Sequence, residues 1–143
     1  MWADTLLAAE RMHLMRILAW GALGVTAGSL VGVTLALRGV RAPLIRMFAL
    51  QSGIWGAAEL LMAALAWRAL AEREYLAAVH LASRTWMEVV LEVALILAGT
   101  IMSAVGWGRR RQNVVGSGIA VAVQGVALLA IDLPFLSLLR SVV

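Results

Sequence analysis

Between residues 17 and 37 the chain carries no charged side chain. Three similar runs follow: 47–67 with one charge, Glu59; 86–107 with two, Glu88 and Glu92; and 113–136 with one, Asp132. About 20 predominantly apolar residues are what an α-helix needs to cross the hydrocarbon core of a bilayer. Four such runs in 143 residues leave almost nothing for a soluble domain. The expected fold is all-α: an integral membrane four-helix bundle, up-down-up-down, forming a single domain over 1–143. Composition agrees, with 63% hydrophobic and 14% charged residues, where soluble domains are nearer half and a quarter.

The connections are short. RGVRAPLIR separates the first two runs and GRRRQ the last two, and loops of that length join antiparallel neighbours. Pro43 marks a helix boundary. Segment 68–85, RALAEREYLAAVHLASRT, is rich in helix formers and reads as a short helical extension beyond the bilayer between spans two and three. The N-terminal MWADTLLAAERMHLMR mixes acids with bases and leads to no small-residue cleavage site, so it reads as an interfacial amphipathic lead-in rather than a signal peptide. Trp20, Trp67, Trp86 and Trp107 fall near the span ends, as an aromatic belt does.

All twelve basic residues are arginine. Four crossings put both termini on one side with Arg11, Arg16, Arg68, Arg73, Arg84 and Arg140. The other side holds Arg38, Arg41, Arg46, Arg109, Arg110 and Arg111. The count is tied. The second set is packed into two very short loops, and the bias of arginine toward cytoplasmic loops places those loops in the cytoplasm and the termini outside. No contiguous basic face with stacking aromatics is evident, so nucleic acid is not an expected partner. The absence of cysteine excludes disulfides and thiolate metal sites. His13 and His80 come with no haem-attachment motif, no serine sits on a nucleophile elbow, and neither metal, cofactor nor enzymatic activity is expected.

Carboxylates in the spans need a reason, because a charge at the bilayer centre costs roughly 2.5–3.5 kcal/mol even on lenient scales. At about 1.5 Å rise per residue, Glu88 lies ~4 Å and Asp132 ~6 Å from the terminus-bearing side, with Glu59 and Glu92 ~10–12 Å in. All four therefore share one half of the membrane. Arg84 and Glu88, four apart, form a natural ion pair, with Arg16 a second cation at that edge. Glu92 lies a turn deeper, level with Glu59 on another helix. Those two are expected to meet, and two carboxylates in one dry site need a shared proton or an arginine between them. Gln51, Trp55 and Glu59 form one stripe at four-residue spacing, and Gln124 and Asp132, eight apart, share a face of the fourth helix. Polar groups of this kind often act as interhelical glue, and a proton or cation path is the alternative.

In GALGVTAGSLVG the glycines Gly24, Gly28 and Gly32 recur every four residues, which permits close helix approach. Gly116 and Gly118 read as the start of the fourth span, since no strand precedes them as a phosphate loop would require.

QSGIWGAAE, MEVVLEV and QGVALLAID together resemble a family of small four-helix bacterial membrane proteins of unknown function. That family shows Gln…Trp…Asn in its second helix, Asn and Asp four apart in its third, and Gln-Gly followed by Asp in its fourth. Gln51, Trp55, Gln124, Gly125 and Asp132 match directly. Glu59 and Glu88 stand where asparagine is usual, and Glu92 stands at the aspartate position. The resemblance implies a four-helix bundle with a polar interior in a bacterial inner membrane, and this chain is more acidic inside than its relatives.

Two functions fit. One is a non-catalytic structural or accessory subunit of a larger membrane complex, photosynthetic or respiratory for instance, whose partners are membrane lipid and other integral membrane subunits or further copies of itself. The other is a small homo-oligomeric proton- or cation-coupled transporter or channel that uses the intramembrane carboxylates.

Overall fold

A computed structural model describes residues 2–142 and contains four helices: α1 Trp2–Leu37, α2 Pro43–Arg68, α3 Tyr75–Gly108 and α4 Gln112–Val142. All four are long and apolar enough to cross a membrane. Their outward faces carry large apolar side chains, among them Leu30, Leu37, Leu61 and Leu97, each more than half exposed. A contiguous apolar surface of that extent marks contact with lipid or another protein.

The two arginine-rich connections are stopped by the same backbone device. After α1, Gly39 takes a left-handed conformation (φ 62°), its N–H donates to Ala36 O at 3.3 Å, and Val40 N–H donates to Leu35 O at 3.1 Å. After α3, Arg110 takes that conformation (φ 54°). Its N–H donates to Trp107 O at 3.1 Å and Arg111 N–H to Gly106 O at 2.8 Å. This pair of bonds is the Schellman motif, which satisfies the last carbonyls of a helix. A non-glycine residue in it costs roughly 1–2 kcal/mol.

Packing is by glycine-mediated pairs. α1 lies on α2, α3 on α4, α4 also packs on α2, and α1 touches α4. A Cβ added to Gly28 would stand 2.5 Å from Ala49 O, and one on Gly24 would stand 2.9 Å from Ser52 O. Two of the three predicted packing glycines therefore lie in a backbone-to-backbone seam between α1 and α2. Gly32 does not: nothing lies within 4 Å of its added Cβ. It lines an open groove between the two helices, so the four-residue repeat outruns the close contact. Gly116 and Gly118 lie in the first two turns of α4, as expected, and are contact points there, Gly116 against Leu44 of α2 and Gly118 against Gly99 of α3.

The segment outside the predicted spans also differs from expectation. The lead-in is no separate surface helix but the first turns of α1. Its Leu6, 1% exposed, clusters with Ala78 of α3 and with Phe135 and Leu139 of α4. α3 and α4 run well past their predicted spans, and that extra length gives the start of α1 a wall to pack against. Of the predicted extension over 68–85, the part from Tyr75 belongs to α3, while 69–74 is non-helical.

Candidate functional site

Among the described residues, α2 and α3 make no backbone contact. Where they part, a cavity of about 340 Å³ lies between them. α1 contributes Glu10 and His13, α2 contributes Trp55 and Glu59, α3 contributes Thr85, Glu88 and Glu92, and α4 contributes Asp132. Leu14, Ile17, Met62, Leu128 and Phe135 supply apolar wall, and Arg73 and Arg84 complete the lining toward the 69–74 connection. The clustering expected from helical depth is thus real, and it has a space at its centre.

The expected pairing inside it is corrected. Glu92 does not bond to Glu59; its side chain hydrogen-bonds to Asp132 of α4. The reason lies in the α3–α4 seam. Gly125 brings α4 so close to Glu92 that an added Cβ would stand 2.7 Å from the Glu92 carbonyl. Asp132 follows Gly125 by two helical turns and so returns to the same face. An ionised carboxylate is acceptor only, so a bond between Glu92 and Asp132 holds one proton between the two side chains. Both are buried, at 4% exposure each.

Glu59 is left facing the cavity alone. It is 8% exposed, and neither of its carboxylate oxygens has a hydrogen-bond partner. His13 Nε2 is 3.6 Å from Asp132 Oδ1, beyond hydrogen-bonding distance. Its ring stacks on Phe135 with centroids 4.2 Å apart and planes 13° from parallel.

Other charges in the lining are neutralised locally. Arg84 Nε donates to Glu88 Oε1 at 3.1 Å, the predicted pair, on a largely exposed helix face. Arg73 grips Glu10 with two bonds, Nε to Oε2 at 2.9 Å and Nη2 to Oε1. These bonds push the Arg73 pKa above its ordinary value in spite of partial burial. That pair escaped the sequence reading, since 63 residues separate the partners and no spacing rule connects them. Arg16 is exposed and forms no ion pair among the described residues; its charge acts on His13.

Two predicted polar residues lie off the cavity. Gln124 is buried and accepts a hydrogen bond from Trp20 Nε1 at 3.2 Å, joining α4 to α1. Gln51 is half-buried, one turn of the stripe away from the cavity lining. Among the described residues no group of three or more histidine or acidic side chains is arranged to hold a metal ion.

Over residues 16–133, which include most of the four helices, the chain matches a family of unknown function, DUF6992. The chain belongs to the DUF6992 family. The matched region includes Glu59, Glu92 and Asp132, whereas Glu10, His13 and Phe135 lie outside it. The DUF6992 region therefore supplies the acidic floor of the cavity, and flanking residues close its end. No curated protein and no solved structure matches the chain.

Proposed function

We propose that this chain binds and carries a proton or a cation within the membrane, as a small proton- or cation-coupled transporter or channel. One observation carries the reading: carboxylates from three helices, Glu59, Glu92 and Asp132, line a single cavity, and one of them has no partner for either oxygen. Carboxylates kept only as helix glue would be satisfied by the helices they join. Glu92 and Asp132 meet that description through one oxygen each, and Glu59 through neither. Four helices with short connections in up-down-up-down order enclose little space, so a homo-oligomer is the working form. The setting is a bacterial inner membrane, with the two arginine-rich turns in the cytoplasm and the termini in the periplasm.

The test is flux in liposomes containing the purified protein, read with an internal pH dye under an imposed Na⁺ or K⁺ gradient. Wild type should conduct, and Glu59→Gln and Glu92→Gln should each slow the flux at least tenfold. Equal flux in all three proteins, or none above empty liposomes, would sink the reading.

A second reading, the non-catalytic accessory subunit, rests on a different feature. Outside the α1–α2 seam lies a shallow apolar groove of about 700 Å³, lined by Gly28, Ser29, Gly32, Ala49 and Gly53 among others. Added Cβ atoms on Gly32 and Gly53 meet nothing within 4 Å, so small residues there face outward where a neighbouring helix could approach closely. Purification in gentle detergent with mass spectrometry of co-purifying chains separates the two: stoichiometric foreign subunits support the accessory role, and recovery of this chain alone counts against it.

A further inference from the structure

We infer that the cavity is built for a monovalent organic ammonium compound with an apolar body, a ligand class that rests on the carrier reading above and narrows it. The charge inventory of the lining is the first argument. Glu10 is matched by Arg73 and Glu88 by Arg84, while Glu92 and Asp132 hold one another. Each of those two leaves one oxygen without a partner, whereas Glu59 is the carboxylate for which the described residues provide no donor to either oxygen. It is more than nine-tenths buried and lines the cavity. A buried acceptor without a donor is a costly feature to maintain, and a ligand N–H answers it.

The second argument is the rest of the wall. The same cavity is lined by Trp55, one turn before Glu59 on α2, and by Leu14, Met62 and Leu128. An inorganic divalent ion needs several oxygen ligands at once, and no cluster of side chains here is arranged for one. One ammonium head needs a single carboxylate, and an aromatic ring nearby adds cation–π attraction. The apolar residues would cover the body of the molecule, in the usual pattern of a small-molecule site with few polar groups and a mainly apolar surface. The cavity volume of about 340 Å³ is at the small end of the range such sites occupy, which favours a compact ligand over a lipid.

The experiment is equilibrium binding of phenethylammonium to the full chain in detergent, with 2-phenylethanol as the neutral analogue of the same shape. Expected are saturable binding of the ammonium at one per chain, at least tenfold weaker binding to Glu59→Gln, and no saturable binding of the alcohol. Arg109→Gln, in the far turn, should bind as wild type does. Trp55→Leu should weaken the ammonium several-fold. Equal binding of the alcohol, unchanged affinity in a folded Glu59→Gln, or no saturable ammonium binding would overturn the inference. The alcohol comparison needs only the wild-type protein and decides the matter where Glu59→Gln fails to fold. Flux of protons or Na⁺ that persists without ammonium binding would overturn this ligand class and leave the carrier reading standing. Ammonium binding without any flux, of the ammonium included, would support the site and overturn the carrier.

Discussion

Glu92 on α3 and Asp132 on α4 share a hydrogen bond beneath a cavity they both line. The bond exists because Gly125 lets α4 approach the Glu92 backbone. It takes up Glu92 and Asp132 and leaves Glu59 with no donor for either oxygen.

Replacing one partner by its amide should keep that bond. Gln at position 92 donates an N–H to Asp132 where a proton sat before, so Glu92→Gln should unfold within about 1 kcal/mol of wild type, the scale of one net hydrogen bond. Glu92→Leu strands Asp132 and should lose about 1–3 kcal/mol. Infrared spectroscopy supplies the second check. The C=O band of a protonated carboxyl should be present in wild type, and its loss in Glu92→Gln would identify this pair as its source.

The Glu10–Arg73 pair should be asymmetric. Glu10 is 7% exposed at its side chain and Arg73 28%. Losing the arginine leaves a buried charge unpaired, which typically destabilises by about 3–5 kcal/mol. Losing the acid leaves an arginine that turns toward water. Arg73→Ala should therefore lower the thermal midpoint further than Glu10→Gln, and the reverse order would mean the pair is not buried as described.

Two glycines of the same sequence repeat should respond differently. Gly28→Ala pushes a methyl group onto the Ala49 carbonyl and should cost about 1–3 kcal/mol, as overpacking does. Gly32→Ala meets open space and should stay within about 0.5 kcal/mol. Denaturation of both variants in mixed micelles measures the contrast directly.

Arg84 and Glu88 present the opposite case. Their side chains are 67% and 39% exposed, so water screens the pair, and Glu88→Gln should change stability by less than about 1 kcal/mol. A larger loss would show that Glu88 acts within the cavity rather than at its rim.

Much of this was legible in the chain. Apolar runs located all four helices, and the depth argument put Glu59, Glu88, Glu92 and Asp132 in one half of the bundle, where they line one cavity. What spacing could not supply was which helix lies beside which. Depth along an axis is a one-dimensional quantity, and Glu59 and Glu92 share it. Neighbourhood is decided by the glycine faces, and Gly99, Gly118 and Gly125 zip α3 to α4 rather than to α2. The Glu10–Arg73 pair was hidden for a related reason, since a contact between the start of α1 and a loop after α2 leaves no periodic trace.

Because α3 is seated on α4 and nowhere meets the backbone of α2, the width of the cavity is set indirectly, by how α4 rides on α2. Gly116 against Leu44 is one point of that contact, at the far end of α2 from Glu59. At the other end the 69–74 connection joins α2 directly to α3, so the cavity is held between a helix contact at one end and a chain link at the other. The Arg73–Glu10 clasp ties that link to α1.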